Sequence, residues 1–193
     1  MKLVECVPNF SEGRDLVKVG KIVEAAKSAG VTILDVETDK DHHRCVLSFV
    51  GAPDACVEAC FRVAKTAMEL IDLNVHKGEH PRMGAVDVIP FIPVAGVTIE
   101  DCVKLADKLA ARIGNELKIP TYLYDHAARR PERKDLAAVR KGQFEGLKDL
   151  IGRDETRTPD FGPNVIHPTA GAVAVGARQQ IVNFNLNLDM HDM

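Results

Sequence analysis

The stretch VTILDVETDKDHHRCVLSFVGAP, residues 31–53, decides the fold. Two apolar, β-branched runs, 31–37 and 44–50, flank a polar turn at 38–43, and Gly51 with Pro53 closes the second run. Runs of this kind joined by a short polar segment predict a hairpin. An amphipathic helix is predicted on each side of it. Upstream, Leu16, Val19, Ile22, Val23 and Ala26 fall at helical spacing, with Ser11 or Asp15 as the candidate cap and Gly30 as the stop. Downstream, Val57, Phe61, Ala64, Met68 and Ile71 share one face of a helix over about 54–73. Outside these lie KLVECV (2–7), alternating and ended by Pro8, and VDVIPFIPV (86–94), apolar with two prolines that suit an edge or irregular strand. The order βαββαβ predicts an α+β fold with a ferredoxin-like core over about 2–94: a four-stranded antiparallel sheet with two helices on one face. The rest, about 97–188, extends a single domain of residues 1–193. It adds a helix near 98–116, a strand at 119–124, polar helical material at 132–151 and two closing strands in AGAVAVGARQQIVNFNLNL. GRDETRTPDFGP, 152–163, reads as a surface loop.

The composition excludes several classes. A formal net charge of −3 with 27% charged residues argues against general nucleic-acid binding, which needs a basic excess. No apolar stretch approaches the ~20 residues that span a bilayer, and MKLVECVPNF has no signal-peptide pattern. Five cysteines, an odd number with no CxxC, read as reduced thiols and a cytoplasmic location.

The segment richest in chemistry is HKGEHPRMGAVD, residues 76–87. It joins the second helix to a strand, so it lies at one end of the sheet, and it spends twelve residues on polar groups and turns. Pro81 biases His80 toward extended backbone, and Gly78 and Gly84 allow turns on either side, so the imidazole is presented rigidly. The same composition also fits a solvated, charged turn after a helix. His76 and His80 are spaced i, i+4, as in a metal site on a helix, but Gly78 and Pro81 oppose helical continuation, and no metal is expected. GPNVIHPTAGA contains no GxGxxG; its small residues suit close backbone approach to a flat ligand, or a plain loop entering a strand.

HKGEHPRMGAVDVIPFIPV (76–94) resembles the signature segment of the formiminotransferase family, the folate-dependent glutamate formimidoyltransferases. LVECVPNFSEG (3–13), PTYLY (120–124), RKGQFEGL (140–147) and PDFGPNVIHPTAGAVAVGAR (159–178) resemble the family's other blocks in the same order. The resemblance runs over about residues 3–188 and matches the first half of the family's two-part unit, which holds folate between similar halves.

That resemblance implies transfer of a formimino group from N-formimino-L-glutamate to tetrahydrofolate, giving 5-formiminotetrahydrofolate and glutamate in histidine degradation. It implies His80 as the catalytic acid/base, a role suited to an imidazole, whose ordinary pKa lies near working pH. It implies tetrahydrofolate as co-substrate without a metal. The folate-contacting stretch falls on Gly162, Pro163, Asn164, Val165, Ile166, His167, Pro168, Thr169, Ala170 and Gly171, and a further binding residue falls on Asn9. Because both substrates carry carboxylates, local cations are needed: Arg82 beside His80, with Arg178 and the run Arg129, Arg130, Arg133, Lys134 as further candidates. That run also reads as a solvated helix face. A carboxylate should face the cationic formimino group, with Glu79, Asp39 and Asp87 as candidates. The partner is expected to be a second copy or a C-terminal-half protein. An alternative is a non-catalytic folate-binding or regulatory half that pairs with such a protein; a metal-dependent hydrolase using His76 and His80 is a third reading.

Overall fold

The computed structural model describes residues 1–181 of the chain. The predicted hairpin is present as β3 (Thr32–Asp39) and β4 (Arg44–Gly51), paired antiparallel. The first strand is interrupted at Val7 and Pro8 and forms β1 (Leu3–Cys6) and β2 (Asn9–Phe10), both lying between β4 and β5 (Val86–Ala95). Asp15 caps α1 (Leu16–Lys27), accepting from Val17 N at 3.0 Å and Lys18 N at 3.2 Å. Pro53 opens α2 (Pro53–Leu70) at the position where its missing N–H costs nothing. The βαββαβ order is therefore present, with sheet order β3–β4–β1/β2–β5.

Beyond β5 the sheet changes character. α3 (Ile99–Arg112), started by the reciprocal Thr98–Asp101 capping box, runs into a π-turn at Ile113–Leu117 that Lys118 ends in the left-handed region. β6 (Thr121–Asp125) and β7 (Val173–Ala177) then add parallel to β5 in the order β5–β7–β6. The result is a mixed sheet of seven strands with five α-helices among the described residues. The antiparallel pairing predicted over about 2–94 is present through β5, and the later strands, whose direction the sequence leaves open, add in parallel, as a crossover through α3 produces. The polar helical material resolves into α4 (Leu136–Arg140) and α5 (Gln143–Leu150). The second closing strand expected in AGAVAVGARQQIVNFNLNL lies outside the described residues.

VDVIPFIPV is an interior strand rather than an edge. Its prolines are accommodated because Pro90 lies opposite the break at Val7 and Pro8, where neither β1 nor β2 pairs with β5, and because Pro93 lies beyond the stretch Val88–Phe91 that β7 pairs. The main core lies under α1, α2 and α3, with Phe10, Phe49 and Phe91 fully buried. A second cluster on the opposite face packs Met83, Val88, Tyr122 and Tyr124 against Val139, Leu147 and Ile151. Along β1 and β4 residues alternate between buried and half-buried, so the outer face of the β3–β4–β1/β2 half stays partly open.

Candidate functional site

The His loop is held from three sides. Glu79 N donates to Asp41 O at 3.1 Å and His80 N to His42 O at 3.3 Å, so the β3–β4 turn carries its backbone. Gly78 is needed there, since a Cβ would lie 2.4 Å from His42 O. Ser11 Oγ donates to Gly84 O at 2.8 Å. Phe144 N, at the start of α5, donates to Arg82 O at 3.0 Å.

His76 and Arg82 close the loop on itself. Arg82 Nε donates to His76 Nδ1 at 3.3 Å, and His76 Nε2 donates to His43 O at 2.9 Å, which fixes His76 as a neutral Nε2–H tautomer. The His43 ring stacks on it at 4.2 Å between centroids and reaches Glu12 Oε1 at 3.0 Å. Burial, first of all, holds His76 below its ordinary pKa, and neighbouring His43 and Arg82 push the same way. Burial also lowers His167, whose Nδ1 accepts from Ala170 N at 3.0 Å. For Glu12, burial works upward, but the N–H groups of Asp15 and Arg14 and the His43 ring outweigh it and hold the carboxyl low.

The sign of the resulting pH dependence follows. The fold holds His76 and His167 below their ordinary pKa, so near and below about pH 6.5 the unfolded chain binds more protons at these residues than the folded chain does. Unfolding free energy should therefore fall as pH drops below about 6.5, well before Glu12 contributes its own loss below about 4.5. Urea midpoints at pH 7.5 and 5.5 measure this. We expect the lower midpoint at pH 5.5 and a smaller difference in His76→Gln; equal midpoints in the unsubstituted protein would contradict it.

His80 is buried, and its Nε2 has no hydrogen-bond partner among the described residues. The nearest acidic atom is Asp87 Oδ2 at 3.5 Å. Asn9 pairs with Val88 and Phe10 with Val86, so Asp87 is the extra residue of a β-bulge, which re-aims a side chain. Fully buried, Asp87 accepts from Met83 N at 2.8 Å through Oδ1 and pairs with the Arg140 guanidinium through Oδ2.

Arg140 leads to a cleft of about 380 Å³ on the face opposite α1 and α2, within the usual size range of small-ligand sites. Asn9, Arg44, Lys134, Arg140 and Arg178 line it, with Asp125, Asp135 and Tyr124. The Nε atoms of Arg44 and Arg140 are buried without a partner among the described residues, so two guanidinium groups in one cleft keep unspent donors. Burial holds the Tyr124 phenol above its usual range, keeping it neutral. Arg140 also lines a second opening of about 290 Å³, with Pro81 and Gln143.

The structure separates the predicted cations. Arg82 grips Glu145 at 2.7 and 2.8 Å and Gln143 at 3.1 Å, so its donors are spent within the protein. Arg133 is buried against Asp160, Arg129 pairs with Asp107, and Arg130 donates to Glu155 O; of that run only Lys134 lines the cleft. Among the carboxylates, Asp39 binds its own turn and Glu79 is exposed, while Asp87 faces His80. Sequence reading missed Arg44, Arg140 and Asp125. Asp125 ends β6 with φ +56, and Gln143 (+56) and His43 (+51) share that unusual conformation around the same site.

The stretch 162–171 meets the His loop at its C-terminal end. Gly84 and Gly171 form an antiparallel bridge, Ala85 N donates to Ala170 O, and Ala172 N donates to Met83 O, both at 2.9 Å. Leu73 N donates to Thr169 O at 2.9 Å and Asn74 Nδ2 to Pro168 O at 2.8 Å. Its N-terminal end packs elsewhere: Gly162, at φ +86, lies against Gly114 of the π-turn, and Pro163 and Asn164 follow it. Val165 is exposed, and Ile166 packs toward both cores.

The profile of the formiminotransferase domain, N-terminal subdomain, matches residues 3–178. The chain belongs to the formiminotransferase family. A glutamate formimidoyltransferase of Streptococcus pyogenes serotype M1 is 50% identical over 189 residues, covering 97% of this chain and 63% of that protein. The glutamate formimidoyltransferase of Thermoplasma acidophilum is also 50% identical, covering all of this chain and 64% of its own length. The formimidoyltransferase-cyclodeaminase of Mus musculus is 46% identical over 97% of this chain and 35% of its own. The chain thus spans just under two thirds of the formimidoyltransferases it resembles and about a third of the fused protein. No helix among the described residues is long and apolar enough to cross a membrane. No group of three or more His, Cys, Asp or Glu among them is placed to hold a metal ion.

Proposed function

We propose that this chain is the N-terminal half of a transferase that moves a formimino group from N-formimino-L-glutamate to tetrahydrofolate, with His80 as general acid and base. What carries the reading is the setting of His80: a buried imidazole with an unsatisfied nitrogen, one carboxylate away from a cleft with unspent guanidinium donors. As folate N5 attacks the formimino carbon, the imidazole takes the N5 proton. It returns that proton to the glutamate nitrogen as the carbon–nitrogen bond to glutamate breaks. Arg44, Arg140 and Arg178 meet the substrate carboxylates, a role Arg82 cannot take while it grips Glu145. Asn9 lines the cleft and contacts the folate, as do residues 162–171, which lie outside that lining and join the His loop through the Gly84–Gly171 bridge; Asp125 or Asp135 faces the cationic formimino group.

The βαββαβ unit is, in this reading, a ferredoxin-like module whose half-open outer face is covered by the segment that the relatives carry beyond the match, or by a second copy. The five buried, unpaired cysteines fit a reducing cytoplasm. The test is glutamate release from N-formimino-L-glutamate with tetrahydrofolate, for the chain alone and mixed with the C-terminal portion of a relative. Release in either preparation is expected. Folate binding without release in both would favour a non-catalytic binding half.

A further inference from the structure

One oxygen in the site has two claimants. Asp87 Oδ2 pairs with the Arg140 guanidinium, while His80 Nε2 stands 3.5 Å from the same atom and has no partner among the described residues. Asp87 Oδ1 is turned the other way, accepting from Met83 N at 2.8 Å, and the approach of His80 is to Oδ2. Asp87 is wholly enclosed and fixed in a β-bulge, whereas Arg140 keeps 19% of its side chain exposed at the junction of two openings. The movable member of the trio is therefore Arg140, and a carboxylate ligand in the cleft would compete for it.

We propose that Arg140 is a positioning residue that couples substrate binding to the readiness of His80: a carboxylate entering the cleft draws the guanidinium off Asp87, and Asp87 Oδ2 then accepts a hydrogen bond from His80 Nε2–H. The proposal rests on the reading of His80 as acid and base. Its chemical consequence is a fixed tautomer. With Nε2–H held by a carboxylate, the lone pair sits on Nδ1, which is the arrangement needed to take a proton and to be stabilised as imidazolium by the carboxylate behind it. Before a ligand arrives, Asp87 is satisfied by Arg140, and the buried charge is never left unpaired. After it arrives, Arg140 trades one carboxylate for another, and Asp87 trades a guanidinium for an imidazole. Arg44 is the natural second claw on the incoming carboxylate, since it lines the same cleft.

The experiment is nitrogen-15 NMR of histidine-labelled protein at fixed pH, with the His80 signals assigned by their loss in His80→Gln. The readout is a protected, downfield proton on His80 Nε2, and the probe is L-glutamate, which carries the substrate's two carboxylates. In the ligand-free chain that proton should be absent, and it should appear as glutamate is added. In Arg140→Gln it should be present without glutamate and should not change on addition. In Arg44→Gln, which leaves the Asp87 pair alone, it should be absent without ligand and should need more glutamate to appear. The proton's presence in the unliganded, unsubstituted chain would overturn the handover, as would its absence in ligand-free Arg140→Gln or at saturating glutamate in the unsubstituted chain. Should Arg140→Gln not fold, the unsubstituted and Arg44→Gln titrations decide the matter on their own. The failure of His80 as acid and base would appear separately, as undiminished turnover in His80→Ala.

Discussion

In a preparation that turns over, His80→Ala should lower the rate by ~10²–10⁴-fold, the usual contribution of a general acid/base, and leave folate affinity nearly unchanged. The structure makes this substitution unusually clean. His80 is buried, yet its ring makes no hydrogen bond that the fold depends on: Nε2 is unpartnered, and the loop backbone is carried by Asp41 and His42. Its removal leaves a cavity but strands no buried donor, so whatever stability the cavity costs should be separable from the collapse in turnover. His76→Ala should do the reverse. It leaves Arg82 Nε and His43 O without their partner in a buried network, so stability falls and the surviving folded enzyme keeps most of its rate. The kinetic split separates the roles: a loss in kcat alone marks a group acting on the transition state, and a rise in KM alone marks one that binds. Near-normal turnover in His80→Ala would remove His80 from the chemistry.

The features legible in the sequence share a physical character: they are local. The hairpin, the Asp15 cap and the apolar faces of α1 and α2 each follow from residues within a few positions of one another, and each is where the pattern predicts. The direction of the last strands was not legible, because pairing of β7 with β5 and β6 is decided by where α3 delivers the chain. VDVIPFIPV shows the same limit. Two prolines argue against an interior strand, and only the break at Val7 and Pro8 opposite Pro90, with the end of β7 pairing before Pro93, explains how one tolerates them.

The site divides in the same way. His80 stands out by its neighbours in sequence, and Arg82 suggests itself as the anion anchor because it is two residues away. In the folded chain that proximity is spent on loop closure against His76 and Glu145. The guanidinium that pairs with Asp87 beside His80 belongs to Arg140, at the end of α4, and the cleft it lines brings in Arg44 from the hairpin. RKGQFEGL does carry a usable signal. Its Gly142 takes φ +88 and Gln143 +56, a sharp turn between two short helices that turns Arg140 toward the sheet and Gln143 toward Arg82. A glycine directly after a basic pair marks that turn, although nothing local says what the arginine will face.

Gly84→Ala should be the most damaging single methyl in the molecule. A Cβ at Gly84 would lie 1.9 Å from Ala172 O and 2.5 Å from Val86 O. Both are backbone atoms in the strand entry that joins the His loop to β7, so no flexible side chain can yield. Across the bridge Gly171 is equally confined, with φ +70 and a Cβ position 2.2 Å from Met83 O. Two glycines facing one another let two backbones touch where any side chain would force them apart, and that contact ties the His loop to residues 162–171. Relief would require breaking the Ala85–Ala170 and Ala172–Met83 hydrogen bonds. We expect a cost of about 3 kcal/mol or more, at the upper end for overpacked sites. Gly20→Ala is the control. It sits in α1 with nothing within 4 Å of its Cβ position, and alanine there should stabilise by ~0.5–1 kcal/mol through helix propensity. Urea unfolding of the two variants should therefore move the midpoint in opposite directions. A Gly84→Ala midpoint equal to that of the unsubstituted protein would mean that the two loops are not in backbone contact, and the site built on their meeting would have to be redrawn.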